Sequence, residues 1–350
     1  MTTTQQQPTM RRVRVFADCG VTVETVPIPE PTADEVLVRS ISIGVCGSDT
    51  HALHGRHPFI ALPYAPGHEV VGVVEGLGAN LNTLSVGQRV VVEPTLPCWH
   101  CKQCRNGREN LCENLQFFGC VYDQGGMADY FTIPANRLHV VPDNLDDRQA
   151  ILIEPLSTPV HAARLAGPLD GKTVAILGAG TIGLLLLATV LHHGARRVVV
   201  TDMLDTKRER AIRLGAHAAL DAAQPDIAQA IREALGESAD VVFDCVANQH
   251  TVTQAVTAAL KGGTVVIVGV SAGPVTIDLP LIQDLQVRIQ GSATYLPEDY
   301  QEAINIITAG TVMPDDFITA TYPLDQAAAA FAASDSGENI KVTVAAMSRA

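Results

Sequence analysis

Residues 173–202 read TVAILGAGTIGLLLLATVLHHGARRVVVTD: an apolar strand, a glycine turn, an apolar helix and a second strand. Few local patterns restrict a fold so tightly. Strands this rich in Val, Ile and Leu suit a parallel sheet buried on both faces, and parallel neighbours need a crossover helix between them. Gly178, Gly180 and Gly183 fall in GxGxxG spacing, with Thr181 and Ile182 completing the turn. Asp202 closes the next strand, roughly 20 residues further on, as a dinucleotide-binding turn requires. One glycine allows the tight turn, one lets a pyrophosphate approach the backbone, and one lets helix and sheet pack closely. The helix N-terminus then offers free N–H groups to the phosphates. Asp202 would accept hydrogen bonds from the ribose hydroxyls and repel a 2′-phosphate, which favours NAD over NADP. Lys207 and Arg208 soften that preference, although Arg208 reads better as part of a solvated helix face.

The strands ADVVFDCVAN (239–248), GGTVVIVGV (262–270) and VRIQGSA (287–293) extend the same pattern, so a doubly wound α/β (Rossmann) domain is expected over 157–295. Residues 10–156 differ. EVLVRSISIG, VVGVVEGLG, QRVVVEP and ADYFTIP are short β-type runs broken by Gly and Pro, the pattern of a barrel-like, mostly antiparallel domain. Beyond 295, PEDYQEAINIITAG and LDQAAAAFAAS read as helices and NIKVTVAA as a closing strand. The polar residues 1–9 read as a flexible tail.

Cys98, Cys101, Cys104 and Cys112 have C-x2-C-x2-C-x7-C spacing, which suits tetrahedral thiolate coordination of one Zn2+. Lys102, Arg105 and Arg108 would offset the thiolate charge. Four sulfurs fill all four positions, so such a site is closed and structural. An iron–sulfur cluster is compatible with the same ligands, and a zinc-ribbon nucleic-acid module is a rival. The net charge of −13 and an aromatic content of 4% count against nucleic acid as a partner. No secretory leader is visible, and the longest apolar run, IGLLLLATVL, is too short to span a bilayer. A cytoplasmic, reducing location is therefore expected, without membrane attachment, where clustered cysteines read as metal ligands.

Further motifs are CGSDTH (46–51), GHE (67–69) and EPLS (154–157). Each residue alone has a structural explanation. Together with the four-cysteine lobe and GAGTIG, in that order, they resemble the zinc-dependent medium-chain dehydrogenases, closest to the polyol (sorbitol-type) and threonine dehydrogenase branches, from Met10 onward. The resemblance implies a GroES-like catalytic domain over 10–156 and 296–350, the zinc lobe at about 95–115, and a catalytic Zn2+ held by Cys46, His68 and a carboxylate from Glu69 or Glu154. It also implies that Asp49 orients His68, and that Ser48 and His51 relay the alcohol proton. NAD would be bound by Ile182, Asp202, Lys207, Val268 to Val270 and, from the last strand, Lys341. Family members commonly form homodimers or homotetramers.

The implied reaction oxidises a secondary alcohol (a polyol, sugar derivative or hydroxy-amino acid) to a ketone, with hydride transfer to NAD+. The alternative is a non-catalytic zinc- and NAD-binding relative, which loss of a ligand or relay residue would signal; all are present. One departure bears on substrate. Where sorbitol-type relatives usually carry an arginine before a tyrosine, this chain has Thr294 before Tyr295. The loop LHGRHPFIALPY (53–64) is expected to line the pocket, while Cys120 and Cys245 read as ordinary buried cysteines.

Overall fold

A computed structural model describes residues 7–18 and 20–346; Cys19 and residues 1–6 of the expected tail lie outside the described residues. Thr9, placed in that tail by composition, already belongs to the strand Thr9–Phe16, where it pairs with Pro27. The chain divides into two units. One comprises residues up to Glu154 together with Phe317 onward, and the other runs from Pro155 to Asp316.

In the first unit the strand Glu35–Val45 is the organiser. It pairs with Glu69–Leu77 on one side, and with Lys341–Ala345 and Tyr130–Pro134 on the other edge along different parts of its length. The sheet continues through Arg89–Val92 to Leu138–Val140, and beyond Lys341–Ala345 to Ile318–Pro323. The alternating Val and Ile of EVLVRSISIGV turn Val36, Val38 and Ile43 into a core shared with Phe118, Phe131 and Phe331. The register has a local consequence. Gly44 faces Glu69 on one neighbour, and Val45 faces Val342 on the other.

The second unit holds six parallel strands in the spatial order Ala218–Asp221, Arg197–Asp202, Thr173–Leu177, Ala239–Asp244, Ala259–Ile267, Arg288–Gly291. The first strand in sequence lies between the second and the fourth, so the winding direction reverses there. Such switch points leave a crevice at the carboxyl ends of the strands. The apolar run after the glycine turn is the helix Thr181–His192, whose residues from Gly183 to Val190 are buried. Among the described residues no helix is long and apolar enough to cross a membrane.

The helix Pro297–Thr308 corrects the domain boundary expected at 295/296. It goes with the second unit, which extends to Asp316. Asp299 explains why: one of its oxygens accepts hydrogen bonds from the backbone N–H of Leu296 (2.7 Å) and from Arg164 (2.7 Å), with His161 Nδ1 at 2.8 Å. That carboxylate caps its own helix and fastens it to the helix Ile153–Ala166.

Candidate active site and structural metal lobe

The four clustered cysteines lie between the short paired strands Thr95–Leu96 and Gln116–Phe117. Their sulfurs all lie within 4.8 Å of one another. Cys101 Sγ is 3.5 Å from Cys104 Sγ and 4.0 Å from Cys112 Sγ, too far for disulfides, whose S–S bond is about 2.05 Å. A tetrahedron with Zn–S of about 2.3 Å has edges of this size, so the donors fit one closed metal site. Backbone donors support thiolates here. Cys98 N–H and Asn114 N–H point to Cys112 Sγ at 3.2 and 3.3 Å, and the backbone N–H of His100 helps pull the Cys98 thiol down to about 6. Trp99, at a left-handed φ of 63°, is held from outside the lobe. The Arg137 guanidinium lies 5.0 Å from its ring centre and is fixed by fully buried Glu93, at 2.8 Å.

The dispersed site assembles around the end of Glu35–Val45. Cys46 follows that strand and caps the helix Gly47–Leu53. His68 immediately precedes and Glu69 begins the next strand, and the donor atoms of Cys46, His68 and Glu69 all lie within 4.8 Å of one another. One thiolate, one imidazole and one carboxylate form a donor set suited to Zn2+. Glu154 is buried near the start of its helix and lies outside this triplet, though close enough to Lys341 to raise its pKa. Ser48 and His51 sit three residues apart on the helix beginning after Cys46, hence on one face.

One expectation is corrected here. Lys341, assigned to the cofactor, is 3% exposed, with its ammonium 2.6 and 2.7 Å from the two oxygens of Glu69. Burial, the largest single influence, would lower the Lys341 pKa; the charge and hydrogen bonds of Glu69, with Cys46 and Glu154, together outweigh it, and the net shift is upward. Lys341 and Glu69 come from the strands on either side of Glu35–Val45 and meet over Gly44. A Cβ on Gly44 would stand 1.7 Å from Glu69 Oε2, so only glycine leaves room. Asp49, expected to orient His68, accepts hydrogen bonds from Tyr64 Oη (2.9 Å) and the backbone N–H of Cys46 (3.0 Å), and lies close enough to His68 for the two charges to interact. The atom beside His68 Nδ1 is Cys120 Sγ, at 3.5 Å. Cys120, read from the sequence as an ordinary buried cysteine, is buried.

A prediction follows from the buried pair. Lys341→Met should destabilise zinc-free protein by about 3–5 kcal/mol, because Glu69 keeps a buried charge without a partner. Adding Glu69→Gln should recover most of the loss. Urea unfolding midpoints measure both; a loss below about 1 kcal/mol for the single variant would refute the account.

In the second unit the glycine turn has the form of a phosphate cradle. Gly178 takes φ +98°, and a Cβ on Gly183 would come 1.8 Å from Gly178 O, so helix and turn touch. At Gly180 a Cβ would meet nothing within 4 Å, leaving open space where the helix Thr181–His192 begins, with Ile182 in its first turn. Asp202 ends the adjacent strand. Its carboxylate accepts hydrogen bonds from Ala179 N–H (2.8 Å) and Leu204 N–H (3.0 Å). Val268 and Val270 follow the carboxyl end of Ala259–Ile267, on the same side of the sheet as the turn. Lys207 lies in the helix Asp205–Arg213, just after Asp202.

Two family descriptions match the chain: "Alcohol dehydrogenase GroES-like domain" over residues 32–143 and "Zinc-binding dehydrogenase" over 181–309. L-galactonate-5-dehydrogenase of Escherichia coli is 35% identical over 297 residues, 85% of this chain and 86% of that protein. Sorbitol dehydrogenase of Bacillus subtilis is 31% identical over 311 residues, 87% and 88% of the two chains. A protein of Sinorhizobium meliloti, provisionally called a zinc-binding dehydrogenase and solved bound to NADP, superimposes with a TM-score of 0.91 at 34% identity, covering 97% of this chain and 100% of its own. With the parallel nucleotide sheet, the GroES-like unit and both donor clusters in place, the chain belongs to the zinc-dependent medium-chain dehydrogenase family, on its polyol-dehydrogenase branch.

Proposed function

We propose that the protein oxidises a secondary alcohol of a polyol or sugar derivative to a ketone, with NAD+ as hydride acceptor. The observation that carries this is the gathering of Cys46, His68 and Glu69 around one point, beside the helix bearing Ser48 and His51. Cys46, His68 and Glu69 hold the catalytic zinc in this reading, with Glu154 as the neighbouring carboxylate. Cys98, Cys101, Cys104 and Cys112 hold the structural one. When bound, the catalytic ion supplies Lewis acidity that lets an alcohol lose its proton near neutral pH. Ser48 Oγ accepts that proton and the His51 imidazole carries it to solvent. Lys341 holds Glu69 in place and keeps its charge balanced in the interior.

NAD is preferred over NADP in this reading because the Asp202 carboxylate would repel a 2′-phosphate. Arg208 is not free to offset it, since its guanidinium binds Asp202 O (2.8 Å) and the Asp205 carboxylate. A homodimer or homotetramer and a cytoplasmic location complete the proposal, the latter supported by thiols grouped for metal binding.

The test is reduced-cofactor formation by zinc-loaded protein across polyols, sugar acids, threonine and simple secondary alcohols, with each nicotinamide nucleotide. Turnover with at least one class and with NAD+ ahead of NADP+ is expected. Asp202→Ala should raise the NADP+/NAD+ ratio of kcat/KM about tenfold or more, the equivalent of about 1.4 kcal/mol of removed repulsion. Silence across the panel, with zinc and NAD both bound, would overturn the enzyme reading; an NADP+ preference in the unmodified protein would overturn the cofactor assignment.

A further inference from the structure

The buried ring of His68 is held on two sides by one short segment distant from it in sequence. That segment, residues 117–120, leaves the strand Gln116–Phe117 and turns over the chain at Gly67 and His68. The Phe117 ring meets the imidazole edge-on, with centroids 5.7 Å apart and planes at 72°. Cys120 Sγ lies 3.5 Å from His68 Nδ1, and Cys120 is itself buried.

This placement is built into the backbone. Gly119 takes φ +77°, and a Cβ there would stand 2.5 Å from Gly67 O and 2.7 Å from the backbone N of His68. Gly67 takes φ +104°, and a Cβ there would stand 2.2 Å from Met127 N. The two stretches are in main-chain contact, an approach that only glycine permits. Gly126 N–H donates to Gly67 O at 2.8 Å and Met127 N–H to Pro66 O at 3.0 Å, which fastens the loop at its far end. Within the loop, Cys120 N–H bonds Phe117 O at 3.1 Å and Gly119 N–H bonds Gln124 O at 3.0 Å.

A histidine that gives one ring nitrogen to a metal carries its proton on the other. Cys120 faces Nδ1, so Nε2 is the nitrogen left for zinc, and Nδ1 is then an N–H donor. Sulfur is the acceptor beside it. A thiol donating to Nδ1 would leave the ring proton on Nε2 and disable the ligand. Asp49 gives one oxygen to Tyr64 Oη and the other to Cys46 N–H, and bears on His68 as a nearby charge.

We propose that Cys120 is a positioning residue for the catalytic zinc: its sulfur accepts the Nδ1–H of His68, fixes the tautomer and plane of the ring, and so keeps Nε2 available beside Cys46 and Glu69. This rests on the catalytic-zinc reading above. Cys120 makes no bond to the metal in it, since the donors of Cys46, His68 and Glu69 gather within 4.8 Å without that sulfur.

Zinc competition titrations of the full chain against a chelator test this, with Cys46→Ala giving the baseline of the four-cysteine lobe. Cys120→Ala, which leaves space, and Cys120→Val, which fills it, should each weaken the catalytic Zn2+ by about 10- to 100-fold, the usual effect of removing a partner of a metal-bound histidine. Cys120→Ser, whose hydroxyl can accept the same N–H, should recover most of the loss, and the affinity of the lobe should stay unchanged in all three. With Co2+ in the catalytic site, the thiolate-to-metal charge-transfer intensity per bound ion should be the same in Cys120→Ala as in the unmodified chain. Zinc affinity within about threefold in both Cys120→Ala and Cys120→Val overturns the proposal. Cys120→Ser as weak as Cys120→Ala overturns the hydrogen bond, and a charge-transfer intensity halved in Cys120→Ala overturns it by making Cys120 a ligand. An unmodified chain that binds no zinc beyond the lobe ion overturns the catalytic-zinc reading, and this proposal with it.

Discussion

Cys46→Ala is expected to lower kcat/KM by at least about 10^4-fold while changing NAD+ affinity less than about threefold. Losing a metal-activated proton transfer costs that order of rate. The nucleotide cradle belongs to a unit running from Pro155 to Asp316 with its own core of Leu177, Val199, Val242 and Val265, so cofactor binding does not depend on the thiol. Metal analysis should show one zinc fewer per chain. Cys46→Ser serves as a second variant, because a hydroxyl keeps a polar group at the cap of Gly47–Leu53 and binds zinc poorly. Turnover within tenfold of the unmodified protein in either variant would refute the assigned ligand set.

Cys101→Ser in the four-cysteine lobe should act on stability, lowering the apparent melting midpoint by about 10 °C or more. The lobe contains little that could hold it otherwise: its only α-helix, Lys102–Arg105, has no buried residue, and Cys101 Sγ itself accepts the N–H of Cys104 at 3.5 Å. With the proposed zinc bound, metal coordination supplies most of the local folding energy. A loss of several kcal/mol corresponds to a shift of that size in a chain of this length. Trp99 is the chain's single tryptophan and lies between two of the ligands, so its fluorescence should report lobe opening before the main transition. A midpoint shifted by less than about 2 °C would mean that the lobe is not braced by metal.

Sequence alone yielded whatever is carried by short-range pattern. The glycine turn, its strand and its acid lie within 30 consecutive residues, and the cysteine lobe within 15, so spacing fixes the chemistry of both. What escaped was long-range. Lys341 and Glu69 are 272 residues apart, and only the register of three adjacent strands brings them together over Gly44. Cys120 reaches His68 across 52 positions. The affiliation of Pro297–Thr308 likewise turns on Asp299 finding His161 and Arg164, a contact with no trace in helical periodicity.

The Lys341–Glu69 bridge also orders events during synthesis. A ribosome delivers Glu69 early, yet the strand Lys341–Ala345 that neutralises it emerges only after the whole nucleotide unit has been made. Domains generally fold as units as the chain is synthesised. The nucleotide unit can thus complete its sheet first, while the catalytic half waits with an open edge and a charge that burial would penalise. Final assembly is therefore gated by the last strand, and a translation product stalled before residue 341 would hold a cofactor cradle without a finished metal site.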